Sequence, residues 1–256
     1  MAEPSPRFWE IFFDVYEALP RQGPGNRASA ARALALCGEL PPEPAILDLG
    51  CGAGAQTLHL AELTAGRIVA LDSHAPFVSE AQRRIAAGGL GPRVAARVGD
   101  MTAPPVAPGT TDLLWCEGAA YFLGIERALR TWQPFLRAGG HLCFTEAVWL
   151  RSDPPAEVRE MWEKEYPAMT DVAGNLALIE RVGGYDLRGH FTVPDTAWWD
   201  DFYTPMERRI AALRPKYAPD PAAGAVLDSI AGEIDLHRRF GDCYGYEFFV
   251  LRRGGA

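Results

Sequence analysis

The residues best equipped for chemistry form the run Ile46-Leu47-Asp48-Leu49-Gly50-Cys51-Gly52-Ala53-Gly54. An apolar strand leads into three glycines at alternate positions, and helical spacing follows. Glycine lets the backbone turn tightly and approach a ligand with no Cβ in the way. At the carboxyl end of a parallel strand, such a turn shapes the crevice that receives nucleotide-like ligands. The spacing differs from Gly-x-Gly-x-x-Gly, in which a pyrophosphate rests on the helix N-terminus. Asp48 would repel a pyrophosphate but can anchor an amino group.

Two further acids follow apolar runs. Asp72 ends the run Ile68-Val69-Ala70-Leu71, where a carboxylate can accept hydrogen bonds from the vicinal hydroxyls of a ribose. The plainer role is to cap the next helix. Asp100 and Met101 follow Val98-Gly99. Asp100 can accept from an exocyclic amine while Met101 packs on an adenine ring; the plainer reading of Asp100 is a loop aspartate.

Glu117 and Glu146 are the candidate proton acceptors. Glu146 interrupts an apolar strand, which is costly unless the carboxyl is paired or faces a pocket. His59 lies near the glycine turn, and His74 follows Asp72 and can touch an adenosine. The aromatics Trp149, Trp162, Tyr166, Trp198, Trp199 and Tyr203 cluster late in the chain. Most belong in a core, but Tyr121, Trp149 and Trp199 are expected to border an acceptor pocket that excludes water. No Ser-His-Asp or Cys-His arrangement and no cluster with metal-ligand spacing occurs, so no metal is expected.

These residues need a scaffold. Helical spacing predicts helices over 7–19 and from an Asn26 cap to Leu40, with residues 1–6 a loose tail. Strand and helix then alternate: strands at 45–49, 67–71, 93–98, 112–116 and 141–149, helices at 55–63, 76–87 and 125–136, with Gly139-Gly140 as a turn. That rhythm argues for a parallel sheet covered on both faces. After residue 150 helices dominate, over 154–166, 171–182, 196–216 and 221–240, around strands at 185–193 and 244–251. The expected architecture is an α/β, Rossmann-like, seven-stranded, mostly parallel sheet with helices on both faces. N-terminal helices and a helical lid insert before the last strand complete it. Residues 1–41 form a helical cap, 42–150 the ligand-binding core, and 151–256 the remainder of the same domain.

With 256 residues and 48% hydrophobic content, the chain can bury one well-packed domain. A net charge of -8 disfavours a nucleic-acid binder, which needs clustered Lys and Arg. The five cysteines have no CxxC spacing and read as buried free thiols of a reducing compartment. No basic-then-apolar leader and no membrane-length apolar run is seen, so a cytoplasmic location is expected.

Taken together, these motifs resemble the class I S-adenosylmethionine-dependent methyltransferases, over about residues 42–150. Asp48 to Gly54 matches the family's first motif, Asp72 its ribose acid, Asp100-Met101 its adenine pair. Glu117-Gly118-Ala119 falls at the fourth-strand motif that lines the methionine end, and Leu136-Arg137-Ala138-Gly139-Gly140 at the turn before the fifth strand. Arg21-Gln22-Gly23-Pro24-Gly25, Gln56-Thr57-Leu58, Glu117 to Tyr121, Glu146 to Trp149 and Tyr244-Gly245-Tyr246 resemble a bacterial, small-molecule-type subgroup. The resemblance implies S-adenosylmethionine as cofactor, with S-adenosylhomocysteine as product. It implies cofactor contacts at Gly23, Asp48, Gly50, Gly52, Gly54, Gln56, Asp72, Ser73, Asp100, Met101, Glu117 and Gly118. Catalytic roles fall to Glu117, Glu146 and Tyr121, and acceptor contacts to Tyr121, Trp149 and Trp199. The expected reaction is direct in-line methyl transfer to a small-molecule acceptor, by a monomer or homodimer acting on neither nucleic acid nor membrane. A non-catalytic S-adenosylmethionine-binding protein and an NAD-linked oxidoreductase are the alternatives.

Overall fold

The computed structural model describes residues 5–254. Helix α1 (Pro6–Tyr16) begins one residue after Ser5, whose side chain accepts from the Phe8 amide. The expected loose tail is therefore structured at Ser5 and Pro6; its first four residues lie outside the described range. Asn26 caps α2 (Arg27–Cys37) as expected, accepting from the Ser29 amide. The helix stops three residues earlier than predicted because Gly38 takes a positive φ of 75°.

The alternating core follows: β1 (Ala45–Leu49), α3 (Ala55–Leu63), β2 (Arg67–Asp72), α4 (Ala75–Ala87), β3 (Val94–Val98), β4 (Thr111–Cys116), α5 (Ile125–Trp132) and β5 (Leu136–Trp149). Two predictions fail here for one local reason. Pro134 cannot continue the α-helical ladder, so α5 ends at Trp132 and a 3-10 turn spans Gln133–Phe135. Strand β5 then starts at Leu136, already paired with Thr111, and Gly139-Gly140 lies within the strand beside a break in register rather than in a turn.

The remaining elements are α6 (Ala156–Glu165), β6 (Thr170–Asp171), α7 (Val172–Val182), β7 (Tyr185–Thr192), α8 (Thr196–Trp198) with a π-helical turn over Trp199–Tyr203, α9 (Thr204–Tyr217), α10 (Pro221–Phe240) and β8 (Tyr244–Arg253). The strand order is β3-β2-β1-β4-β5-β8-β7, with β6 paired to β5 off that path. Strands β7 and β8 are antiparallel to their neighbours and the rest are parallel. The sheet thus has eight strands where seven were expected. The extra one exists because 14-residue β5 outruns six-residue β4, and Thr170 and Asp171 pair with the exposed edge at Val148 and Trp149.

Three apolar clusters hold these layers. One face of the sheet packs Ile46, Leu113, Trp115 and Phe248 against α2, α3 and α4. The other packs Leu47, Leu114, Phe144 and Phe249 against α5 and α7. The third lies among the helices, where Ile11 and Val15 of α1 meet Met206 and Ile210 of α9 and Leu227 and Ile234 of α10. The two N-terminal helices therefore serve different layers: α2 belongs to the sheet sandwich, α1 to the helical layer above it. Asp14 locks that layer, accepting from Arg209, Lys216 and Tyr217. All five cysteines are buried and free, as the sequence suggested.

Candidate active site

The parallel strands end together, and their loops bring the sequence-predicted residues to one rim. Gly50 and Cys51 donate their amides to the Leu71 carbonyl, tying the glycine turn to the end of β2. Asp72 Oδ2 accepts from the Gly52 amide at 2.9 Å and Oδ1 from the His74 amide at 2.8 Å. It serves as a helix-entry acceptor while remaining partly exposed at the rim. Gly99 donates to the Asp72 carbonyl. The Met101 side chain reaches across to Gly50, its Cε 3.9 Å from where a Cβ there would stand. Asp100 is exposed and accepts from the Thr102 amide at 2.7 Å, a bond that lowers its pKa. Ser73 is exposed beside Asp72.

Gly50 and Gly52 require glycine for two reasons: φ is 72° and 54°, and a Cβ would run into Ala119 or the Gln22 carboxamide. Asp48 lies beneath the turn, with no exposed surface. Its carboxyl accepts from the Thr57 hydroxyl at 2.5 Å and from Gln56 at 3.5 Å, while Gln56 also donates to the Gly50 carbonyl. Burial pushes Asp48 up to about 7, against the pull of the Thr57 hydroxyl. Asp48 and Gln56 are both buried and brace the turn through these bonds.

The loop Pro20–Gly25 closes this arrangement from above. Gln22 Oε1 accepts from the Ala53 amide at 2.7 Å, and its nitrogen donates to the Tyr16 and Leu19 carbonyls. Arg21 donates to the Gly23 and Pro24 carbonyls and forms an ion pair with Glu117. Glu117 also accepts from Trp115 Nε1 at 2.7 Å. Both carboxylate oxygens of Glu117 are thus taken. A Cβ on Gly25 would run into the Arg21 guanidinium and the Glu117 carboxylate, so this loop too depends on a missing side chain. The other guanidinium nitrogen, Arg21 Nη1, is buried with no partner. Arg21 stands within a sequence motif that assigns it no task. Its partner is remote in sequence, and no local spacing signals such a pair.

The Gly118 amide donates to the Thr145 hydroxyl at 2.8 Å, and the Tyr246 ring packs against Gly118. Beyond it, Tyr121 is 37% exposed, with its ring 5.7 Å from that of Tyr166. Glu146 is 2% exposed and its Oε1 has no partner. Burial pushes its carboxyl up to about 8, opposed by the Tyr166 hydroxyl. Trp149 packs into the helical layer, with the Arg159 guanidinium 5.9 Å from its ring centroid. Trp199 packs against the same helical cluster as Trp149. Its ring meets Tyr203 and His237, Arg238 lies over it, and its Nε1 donates to Asp195. Among the described residues no ring contact joins Trp199 to Tyr121, whose ring partners are Phe122 and Tyr166.

The sequence marks Tyr166 only as one of the late aromatics, and nothing in the motifs singles out Glu233. Glu233 Oε1 accepts from the Tyr203 hydroxyl at 2.8 Å, and burial raises its pKa. A signal existed: Ile230, Glu233 and His237 follow helical spacing, so an acid sits within an inward-facing stripe. His59 and His74 are half-buried; His74 stacks on Phe13 at 3.7 Å and meets Glu17 at 2.7 Å. Among the described residues there is no group of His, Cys, Asp and Glu that could hold a metal, and no helix is long and apolar enough to cross a membrane.

Residues 46–140 match a family model described as a methyltransferase domain. The whole chain resembles a methyltransferase from Geobacter sulfurreducens, solved with S-adenosylhomocysteine, at 21% identity and a TM-score of 0.81, covering 95% of this chain and 98% of that one. A second, from Thiobacillus denitrificans and also solved with S-adenosylhomocysteine, gives 19% identity and a TM-score of 0.81, covering 99% and 100%. The cyclase SpnF shares the fold at 18% identity and a TM-score of 0.70, covering 99% and 98%. Residues 46–140 thus match a methyltransferase-domain model, and the chain shares the Rossmann-like fold of these solved S-adenosylmethionine-dependent methyltransferases.

Proposed function

We propose that the protein transfers a methyl group from S-adenosylmethionine to a small-molecule acceptor. The observation that carries this reading is the meeting of three strand-end segments at one rim: Asp72 bonded to the Gly52 amide and Met101 lying against Gly50. The residues present fit the cofactor. Asp72, partly exposed, would accept from the ribose hydroxyls, with Ser73 beside it. Met101 offers an apolar surface to adenine, and Asp100 an acceptor for its exocyclic amine. Arg21 Nη1, buried and unpartnered, suits the methionine carboxylate. Gly23 leaves backbone open to close approach, Gly54 lets Ala81 of α4 pack against the turn and Gly118 admits the Tyr246 ring, while Asp48 and Gln56 fix the turn's shape. When bound, S-adenosylmethionine supplies an electrophilic methyl group whose C–S bond breaks as the acceptor's bond to carbon forms, sulfur keeping the electron pair.

The chain's own contribution is position and exclusion of water. Holding the reacting groups in line supplies roughly 7–11 kcal/mol of the barrier. Helix α1 and the loop at residues 20–25 cover the rim, joined to it by Gln22, Arg21 and the Phe13–His74 stack. Glu117, bound at both oxygens, positions Arg21 instead of moving a proton. Glu146 and Tyr121 remain the groups suited to contact the acceptor.

Calorimetry with S-adenosylhomocysteine and with NADH tests the cofactor; binding of NADH alone overturns it. Incubation of metabolite extracts with methyl-labelled S-adenosylmethionine tests turnover. Binding without label transfer would instead favour the non-catalytic reading.

A further inference from the structure

The acceptor side of the rim has its own chemistry. Glu146 sits on β5 with 2% of its surface exposed and its Oε1 unpartnered. A buried carboxyl oxygen without a donor is costly, and nothing in the fold requires an acid there: its sheet-face neighbours Phe144 and Val148 are apolar. Every element packed about it contributes groups that are acidic or neutral. The 3-10 turn after β4 brings Tyr121, the end of α6 brings Tyr166, β4 brings Cys116, and β8 brings Tyr246. Glu233 of α10 and the exposed Glu165 lie near the Tyr121 hydroxyl. Glu247, opposite Glu146 in register, is occupied by His190 and the Thr192 hydroxyl. Of the arginines of the covering loop and α6, Arg21 pairs with Glu117 and Arg159 lies over Trp149. The cluster therefore holds one carboxyl oxygen without a donor, aromatic rings and, among the described residues, no cation paired with Glu146.

We propose that the methyl acceptor is a small amine that enters as its ammonium ion, with its nitrogen on Glu146 Oε1 and its carbons against Tyr121 and Tyr166. Carboxylate and ring faces both attract a cation, the more so away from water. Glu146 then takes one proton from the nitrogen onto Oε1, becoming the neutral acid and leaving the amine with a free lone pair. Its high proton affinity, from a pKa near 8, suits that exchange. The later fate of the lone pair rests on the methyl-transfer reading; the recognition step does not.

Choline and its uncharged carbon isostere, 3,3-dimethylbutan-1-ol, separate charge from shape. Each is titrated calorimetrically into the full chain, with and without S-adenosylhomocysteine. Choline is expected to bind about tenfold or more tightly than the alcohol, with its affinity rising as pH is raised toward 8, where Glu146 ionises. In Glu146→Gln the preference falls to within about twofold and the pH dependence flattens, while S-adenosylhomocysteine binding persists. Equal binding of the two probes, binding of neither, or a cation preference that survives Glu146→Gln overturns the proposal. Loss of S-adenosylhomocysteine binding in the native protein strikes the cofactor reading instead, and the choline titration still decides this one.

Discussion

Arg21 and Glu117 stand 96 positions apart and meet in an ion pair with 4% and 2% of their side chains exposed. One belongs to the loop between the first two helices, the other to the end of β4. The pair bolts the covering loop to the rim at the place where the glycine turn opens. Burying two charges is repaid only if their remaining atoms find partners. The Gly23 and Pro24 carbonyls and the Trp115 indole satisfy all but Arg21 Nη1.

Removing one partner leaves the other charged and buried. Arg21→Met is expected to destabilise the fold by about 3–5 kcal/mol, measured by urea denaturation. It should also weaken S-adenosylhomocysteine binding beyond what partial unfolding explains. Arg21→Met combined with Glu117→Gln restores much of the stability but not the binding. If the double variant recovers both, Arg21 has no role toward a ligand.

Asp72 tests the ribose assignment separately. Asp72→Asn keeps an acceptor for one of the two amides that Asp72 now serves, so the fold should survive. A hydrogen bond to a charged group contributes about 1.5–3 kcal/mol, so S-adenosylhomocysteine affinity should fall roughly ten- to hundredfold. An unchanged dissociation constant would leave Asp72 as a helix cap only.

The α/β core was legible because its signals are local. Apolar runs of five or six residues, glycines at 50, 52 and 54, and an acid after the second run specify strand, turn and strand end without tertiary information. The two-residue β6 was invisible, since it forms only because β5 overhangs β4. The acceptor side was the least legible. Tyr121, Glu146, Tyr166 and Glu233 come from four separate elements, and only packing brings them together. Asp48 was legible from its place in the motif, but its bond to the Thr57 hydroxyl, nine positions on in α3, was not, because it forms only when the helix packs back on the strand.

Trp199 tests the expected acceptor pocket. Its ring is taken up by Tyr203, His237 and Arg238. Trp199→Ala should therefore lower stability by about 3 kcal/mol, near the lower bound for deleting a buried aromatic because the ring is only partly buried. It should leave the Michaelis constant for any identified acceptor unchanged, whereas Tyr121→Ala should raise it. A raised constant in Trp199→Ala would return Trp199 to the pocket.

Glu146 also predicts how stability depends on pH. Its folded pKa near 8 lies above the ordinary value of 4.5, because burial disfavours the charge. Between those two values the folded chain holds a proton that the unfolded chain has released. Stability therefore falls as pH rises through that window, by at most about 1.4 kcal/mol per pH unit from this group, and levels off above it. Asp48, raised to about 7, adds the same sign over the lower part of the window. Because Asp48 is present in both proteins, the difference between native and Glu146→Gln unfolding curves at pH 5, 6, 7 and 8 isolates Glu146. The native protein should lose stability relative to the variant across that series, and curves that stay parallel would show that Glu146 is ionised in the fold throughout.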